Sequence, residues 1–83
     1  MSEVPAMNAT IDLRLFATLG AYLPGNASEY PIDPGMSVAQ LVESLKIPLG
    51  DAKLVFINGM RVDLKARIMG GERVGIFPPV GGG

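Results

Sequence analysis

Apolar residues alternate with polar ones early in the chain. Across Thr10–Phe16, Ile11, Leu13 and Leu15 fall on one side, and Asp12 and Arg14 on the other. A period of two predicts a half-buried strand. Ala17–Ala27 breaks the pattern with Gly20, Pro24, Gly25 and Asn26 and reads as a wide loop, with Tyr22 and Leu23 expected to hold it to the core edge. Ser28–Ile32 reads as a second strand. Pro31 assigns it to a sheet edge, because proline cannot donate to a ladder on both sides. These two strands form a hairpin with a long connection.

The period then changes. After the Asp33-Pro34-Gly35 turn, Ser37 and Gln40 stand three apart, as a capping box requires. Val38, Leu41, Val42 and Leu45 follow at helical spacing and predict a helix over 38–45, ending before Pro48. Its apolar stripe reads as core packing. Leu54–Ile57 and Met60–Val62 flank Asn58-Gly59, a pair suited to the two positive φ angles of a type I′ turn. Leu54–Ile57 is apolar at four successive positions, so both faces of that strand are apolar. With one helix to cover the sheet, one apolar face stays open for a protein partner. Residues 64–69 read as a connector, and Gly70-Gly71 as a tight turn. Glu72–Phe77 reads as the last strand, central in the sheet, with Val74 and Ile76 on one face and Gly75 and Phe77 on the other. The order predicts an α+β domain, a mixed sheet of four to five strands with one main helix on one face. The expected organisation is a flexible arm over 1–9, the domain over 10–77, and a flexible tail over 78–83.

The 83 residues are enough for a single modest core. There is no cysteine and no histidine, which removes thiolate chemistry and the usual neutral-pH acid and base. No metal site is expected, and Asp51 and Asp63 read as turn residues. The net charge of −1 has no basic stripe, so nucleic acid is not an expected partner. No apolar run spans a bilayer and Met1–Thr10 lacks the pattern of a secretory signal, so a cytoplasmic protein without membrane contact is expected.

The chain closes on Phe77-Pro78-Pro79-Val80-Gly81-Gly82-Gly83. The two prolines stop a strand, and the glycines after Val80 leave a thin tail that fits a narrow slot in another protein. Leu15-Phe16-Ala17, Phe56-Ile57-Asn58-Gly59, Ile68–Val74 and this ending together resemble the sulfur-carrier branch of the ubiquitin-like β-grasp proteins. Within it, the chain is most similar to the small subunit of molybdopterin synthase. Gly70 and Glu72 depart from the family's pattern, where aspartates are usual, and Gly81 stands where alanine or serine is commoner.

The resemblance implies a carrier that is not catalytic alone and holds no stable cofactor. A ubiquitin-activating-like adenylyltransferase would use ATP to adenylate the Gly83 carboxylate, and a sulfur donor protein would convert it to a thiocarboxylate. Pro78, Pro79, Val80, Gly81 and Gly82 would form the inserting tail. The large subunit of molybdopterin synthase would be a partner, in a symmetric heterotetramer. The docking face is expected on the side of the sheet away from the helix, with Val55 and Phe77 at its centre and Arg61 and Arg73 on its rim. Other readings stay open: a carrier for thiamine or tRNA thiolation, a modifier joined through Gly83 to lysine, or an interaction domain whose glycines are inert.

Overall fold

A computed structural model describes residues 9–79. Residues 1–8 of the expected arm, and the stretch from Val80 to Gly83, lie outside them. The described chain runs β1 (Ala9–Leu15), β2 (Tyr30–Ile32), β3 (Met36–Ser37), α1 (Val38–Ser44), β4 (Leu54–Ile57), β5 (Met60–Val62), β6 (Arg67–Ile68) and β7 (Arg73–Phe77). The first strand begins at Ala9, which pairs with Ile32, so Ala9 belongs to the sheet and not to the arm.

The main sheet has the order β2-β1-β7-β4-β5. The β1–β7 pair is parallel and the other neighbours are antiparallel, so the sheet is mixed. As Pro31 requires, β2 is an edge, and β7 is central. Ile11, Leu13, Val55, Val74 and Ile76 point to one face and pack on Val38, Leu41 and Val42 of the helix, all nearly inaccessible. Between strands, the loop over 17–29 forms two short 3-10 helices. Leu19, 2% exposed, anchors it; Tyr22 and Leu23 stay on the surface.

Helix α1 starts where the capping box places it. The Gln40 N–H donates to Ser37 Oγ at 3.1 Å, and the Ser37 N–H to Gln40 Oε1 at 2.9 Å. Two further free amides of the first turn, on Val38 and Ala39, donate to the carbonyls of Ala66 and Leu64. That requirement gives the 64–68 stretch its role and explains the small second sheet, β3 with β6, which the sequence reading took for plain connector. At the other end, the Ile47 N–H reaches the Val42 carbonyl and the Lys46 N–H reaches that of Glu43, closing a Schellman motif. Lys46 occupies its left-handed position at φ 66°, where glycine is the favoured residue. Lys46→Gly should therefore stabilise the protein by about 1 kcal/mol, read as a higher denaturant midpoint at unchanged m-value.

The Asn58-Gly59 turn has φ angles of 52° and 84°, as a type I′ hairpin needs. Asn58 has a second role. Its N–H donates to the Arg73 carbonyl at 2.8 Å, and its Oδ1 accepts from the Arg73 N–H at 2.9 Å, tying the turn to the start of β7. Asn58→Ala should cost about 2 kcal/mol, from the lost bond and the less tolerated φ, and lower the melting midpoint by roughly 10 °C. A change of a degree or two would contradict this role.

Candidate functional site: the aromatic face and the tail root

Strand parity decides which side chains the helix covers. In β7, Val74 and Ile76 face the core, so Arg73, Gly75 and Phe77 face away. Cross-strand register carries this outward. Phe56 lies opposite Gly75 on one side and Arg61 on the other, and Leu54 lies opposite Phe77. On β1, Asp12 and Arg14 share this face, and Phe16 follows at its end.

The outer face is thus an aromatic cluster over a glycine. Phe16 and Phe77 stack with centroids 4.2 Å apart and planes within 5° of parallel. Phe56 meets Phe77 edge-on at 5.7 Å. The edge-on contact suits the ring quadrupole. Gly75 is buried beneath the rings, and Phe16 remains 38% exposed. A shallow hollow of about 260 Å³ is lined by these residues with Arg14, Arg73 and Gly59. Arginines rim it. Asp12 lies 3.1 Å from Arg14 and 3.9 Å from Arg73; these pairs are exposed and contribute little to stability. Arg61, opposite Phe56, leaves the rim with net positive charge.

The expected docking residues divide. Phe77, Arg61 and Arg73 lie on the outer face. Val55 does not: it is 2% exposed and packs in the core with Ile76 opposite it. Four apolar residues in a row carry no mark of which face each takes, and the register with β7 turns Val55 inward and Phe56 outward. A second, open hollow beside the β5 edge is lined by Lys53, Val55, Arg61, Val62 and Leu64. Phe16 and Phe56 complete this face beside Gly75 and Phe77, and sequence reasoning did not place those two rings there.

The strand that carries Phe77 leads directly into Pro78 and Pro79. Its last carbonyl, on Phe77, accepts from the Lys53 N–H at 2.9 Å. The tail therefore hangs from the middle of the sheet, at the edge of the aromatic cluster. Val80, Gly81, Gly82 and Gly83 lie outside the described residues. Among the described residues, no cluster of His, Cys, Asp or Glu could hold a metal ion, and no helix is long and apolar enough to cross a membrane.

This arrangement, with a helix on one face of a mixed sheet and a C-terminal central strand, is the ubiquitin-like β-grasp fold. A family profile described as Mut7-C ubiquitin matches residues 8–81. The chain belongs to the Mut7-C ubiquitin family. Two solved structures share its fold. SAMP1 from Haloferax volcanii superposes with a TM-score of 0.63 at 23% identity, over 89% of this chain and 99% of that one. The HVO 2177 protein of the same organism gives a TM-score of 0.71 at 24% identity, over 98% of this chain and 92% of that one. No curated protein matches by sequence. The match makes this a ubiquitin-like protein, as the resemblance in its sequence implies.

Proposed function

We propose that this Mut7-C ubiquitin protein is a sulfur carrier whose working group is the carboxylate of Gly83, and that its sulfur goes to the precursor of molybdopterin. A carboxylate is a poor electrophile until one oxygen becomes a good leaving group. In the proposed cycle the Gly83 carboxylate attacks the α-phosphorus of ATP and pyrophosphate leaves, giving an acyl-adenylate. The terminal sulfur of a protein persulfide attacks the acyl carbon and AMP leaves, giving an acyl disulfide. A thiol then attacks the donor's sulfur, forms a disulfide with it and releases the thiocarboxylate. That sulfur attacks the acceptor, and water hydrolyses the acyl–sulfur bond, which leaves the sulfur on the acceptor and returns the carboxylate. The cationic groups and Mg²⁺ that phosphoryl chemistry requires belong to the activating adenylyltransferase. This chain supplies reach, a tail free of bulky side chains, and a docking face.

The observation that carries the reading is where the tail is rooted. A central strand, hydrogen-bonded on both flanks, ends at an exposed aromatic cluster and continues through Pro78-Pro79 toward the terminal glycines. That geometry supports a rigid body docking beside a slot while a thin tail enters it. Phe16, Phe56 and Phe77 are the proposed apolar contact. Arg61 and Arg73 are the rim charges, matched to a partner surface with carboxylates around an apolar centre. The proposed partners are the activating enzyme, the sulfur donor protein and the large subunit of molybdopterin synthase, the last in a symmetric heterotetramer. The Pro78-Pro79-Val80 run favours molybdopterin over thiamine as the destination.

Deleting the gene tests the acceptor. Cells without this chain should lose molybdopterin and regain it when the chain is re-expressed. Unchanged molybdopterin would reject that destination. Conjugates of Gly83 on lysines of other proteins would favour the modifier reading instead.

A further inference from the structure

We infer that Phe16 is a positioning residue for the tail: its ring, seated over Gly75 and stacked on Phe77, fixes the direction in which Pro78 and Pro79 leave the sheet. The inference rests on the reading that the tail is the working part, and no resemblance pointed to Phe16 in this role.

The two flanks of β7 hold its end differently. On the β4 side, Leu54 pairs with Phe77 and the Lys53 N–H fixes the Phe77 carbonyl. On the β1 side the ladder stops one residue earlier. Its last bond runs from the Phe16 N–H to the Ile76 carbonyl at 3.1 Å. At Ala17 the backbone adopts φ 53° and turns away into a 3-10 helix. Phe77 therefore has a strand on one flank only. The Phe16 ring stands on the other, face to face with the Phe77 ring at 4.2 Å, where the next pair of the ladder would have been. A side-chain stack replaces a missing strand pair at the point where the tail begins.

Gly75 makes room for this. Its φ is not positive, so the turn chemistry of glycine does not account for it. Space does: a Cβ at position 75 would lie 3.2 Å from Cε2 of Phe16, tighter than ordinary contact. A single Cβ there would make the Phe16 ring give by a few tenths of an ångström, and a branched side chain would push it from its seat. The prolines then carry the orientation outward. Phe77 and Pro78 each precede a proline and are held to extended geometry, and the proline rings fix φ at the next two residues. A direction set at Phe77 is thereby kept through Pro79.

The chain has no cysteine, so Val80→Cys gives a single site for a nitroxide label immediately after the prolines. Paramagnetic broadening of backbone amides then maps where the tail points. With Phe16 intact, broadening should be confined to amides around the end of β7. Adding Phe16→Ala should weaken it there and spread it to amides elsewhere. Gly75→Val, whose branched side chain takes the place of the Phe16 ring, should do the same with every ring retained, and Phe16→Tyr should restore the confined pattern. Amide shifts of the core, read on the same samples, establish that each variant is folded. A confined pattern in both Phe16→Ala and Gly75→Val would overturn the inference. The outcome does not depend on sulfur chemistry, so a failure of the carrier reading would leave this result standing on its own.

Discussion

Val55→Asp should give no folded protein, whereas Phe56→Asp, one residue along the same strand, should give a folded domain that no longer docks. Val55 is 2% exposed and surrounded by core side chains. An aspartate there loses about 1.5 kcal/mol of apolar burial. It also places a carboxylate away from any cation, which costs about 3–5 kcal/mol more. A domain of 83 residues has a total stability of roughly 4–12 kcal/mol, so the change consumes most of it. Phe56 is half-buried on the opposite face, with Arg61 opposite it. Its replacement costs an edge-on aromatic contact of about 1 kcal/mol and leaves the core intact. Circular dichroism and pull-down with the activating enzyme separate the two variants. A folded Val55→Asp protein would contradict the register described here. A Phe56→Asp protein that binds normally would remove the aromatic face from the proposed interface.

Removing Gly82 and Gly83 should abolish thiocarboxylate formation entirely while leaving the melting midpoint unchanged. Among the described residues, the last ladder pair is Leu54 with Phe77 and the core contains nothing beyond Ile76. The chemical argument concerns reach and bulk. Without the two glycines, the terminal carboxylate is set back by roughly 7 Å and moves onto Gly81, beside Val80. A slot shaped for the full tail then holds no reactive atom where ATP is presented, and misplacement far smaller than this already costs orders of magnitude in rate. Thermal unfolding followed by intact mass reads both halves. A truncated chain that still acquired sulfur would show that Gly83 is not the working residue.

Much of this was legible in the residues. Ser37 and Gln40 placed the helix start, Asn58-Gly59 placed the hairpin, and Pro31 placed an edge, because each rests on chemistry confined to a few neighbouring residues. The β3–β6 pair was not legible. It exists because the first amides of α1 need the carbonyls of Ala66 and Leu64, a demand that crosses the chain and leaves no periodic trace in residues 64–68. The turn at Gly70-Gly71 departs from the family's pattern, and Glu72 shows how it is held. Its carboxylate accepts from the N–H groups of Met69 and Gly70, at 2.9 and 2.7 Å.

The candidate face was half legible. Phe77 and the two arginines followed from alternation in β7 and from their polarity. Val55 was misplaced for want of parity in Leu54–Ile57, although a signal was present. A two-residue turn at Asn58-Gly59 sets Phe56 opposite Arg61, and an arginine marks the solvent side, so Phe56 faces outward. Phe16 required the parallel pairing of β1 with β7, which joins the two ends of the chain and is not encoded locally.

The central claim is that Gly83 carries sulfur. Intact mass spectrometry of the protein, purified without a C-terminal tag from cells that retain their own activating enzyme, tests it most directly. The account predicts a fraction heavier by the difference between one sulfur and one oxygen, with the change mapped to Gly83. A single unmodified mass, persisting after incubation with the activating enzyme, ATP and a sulfur donor, would contradict it.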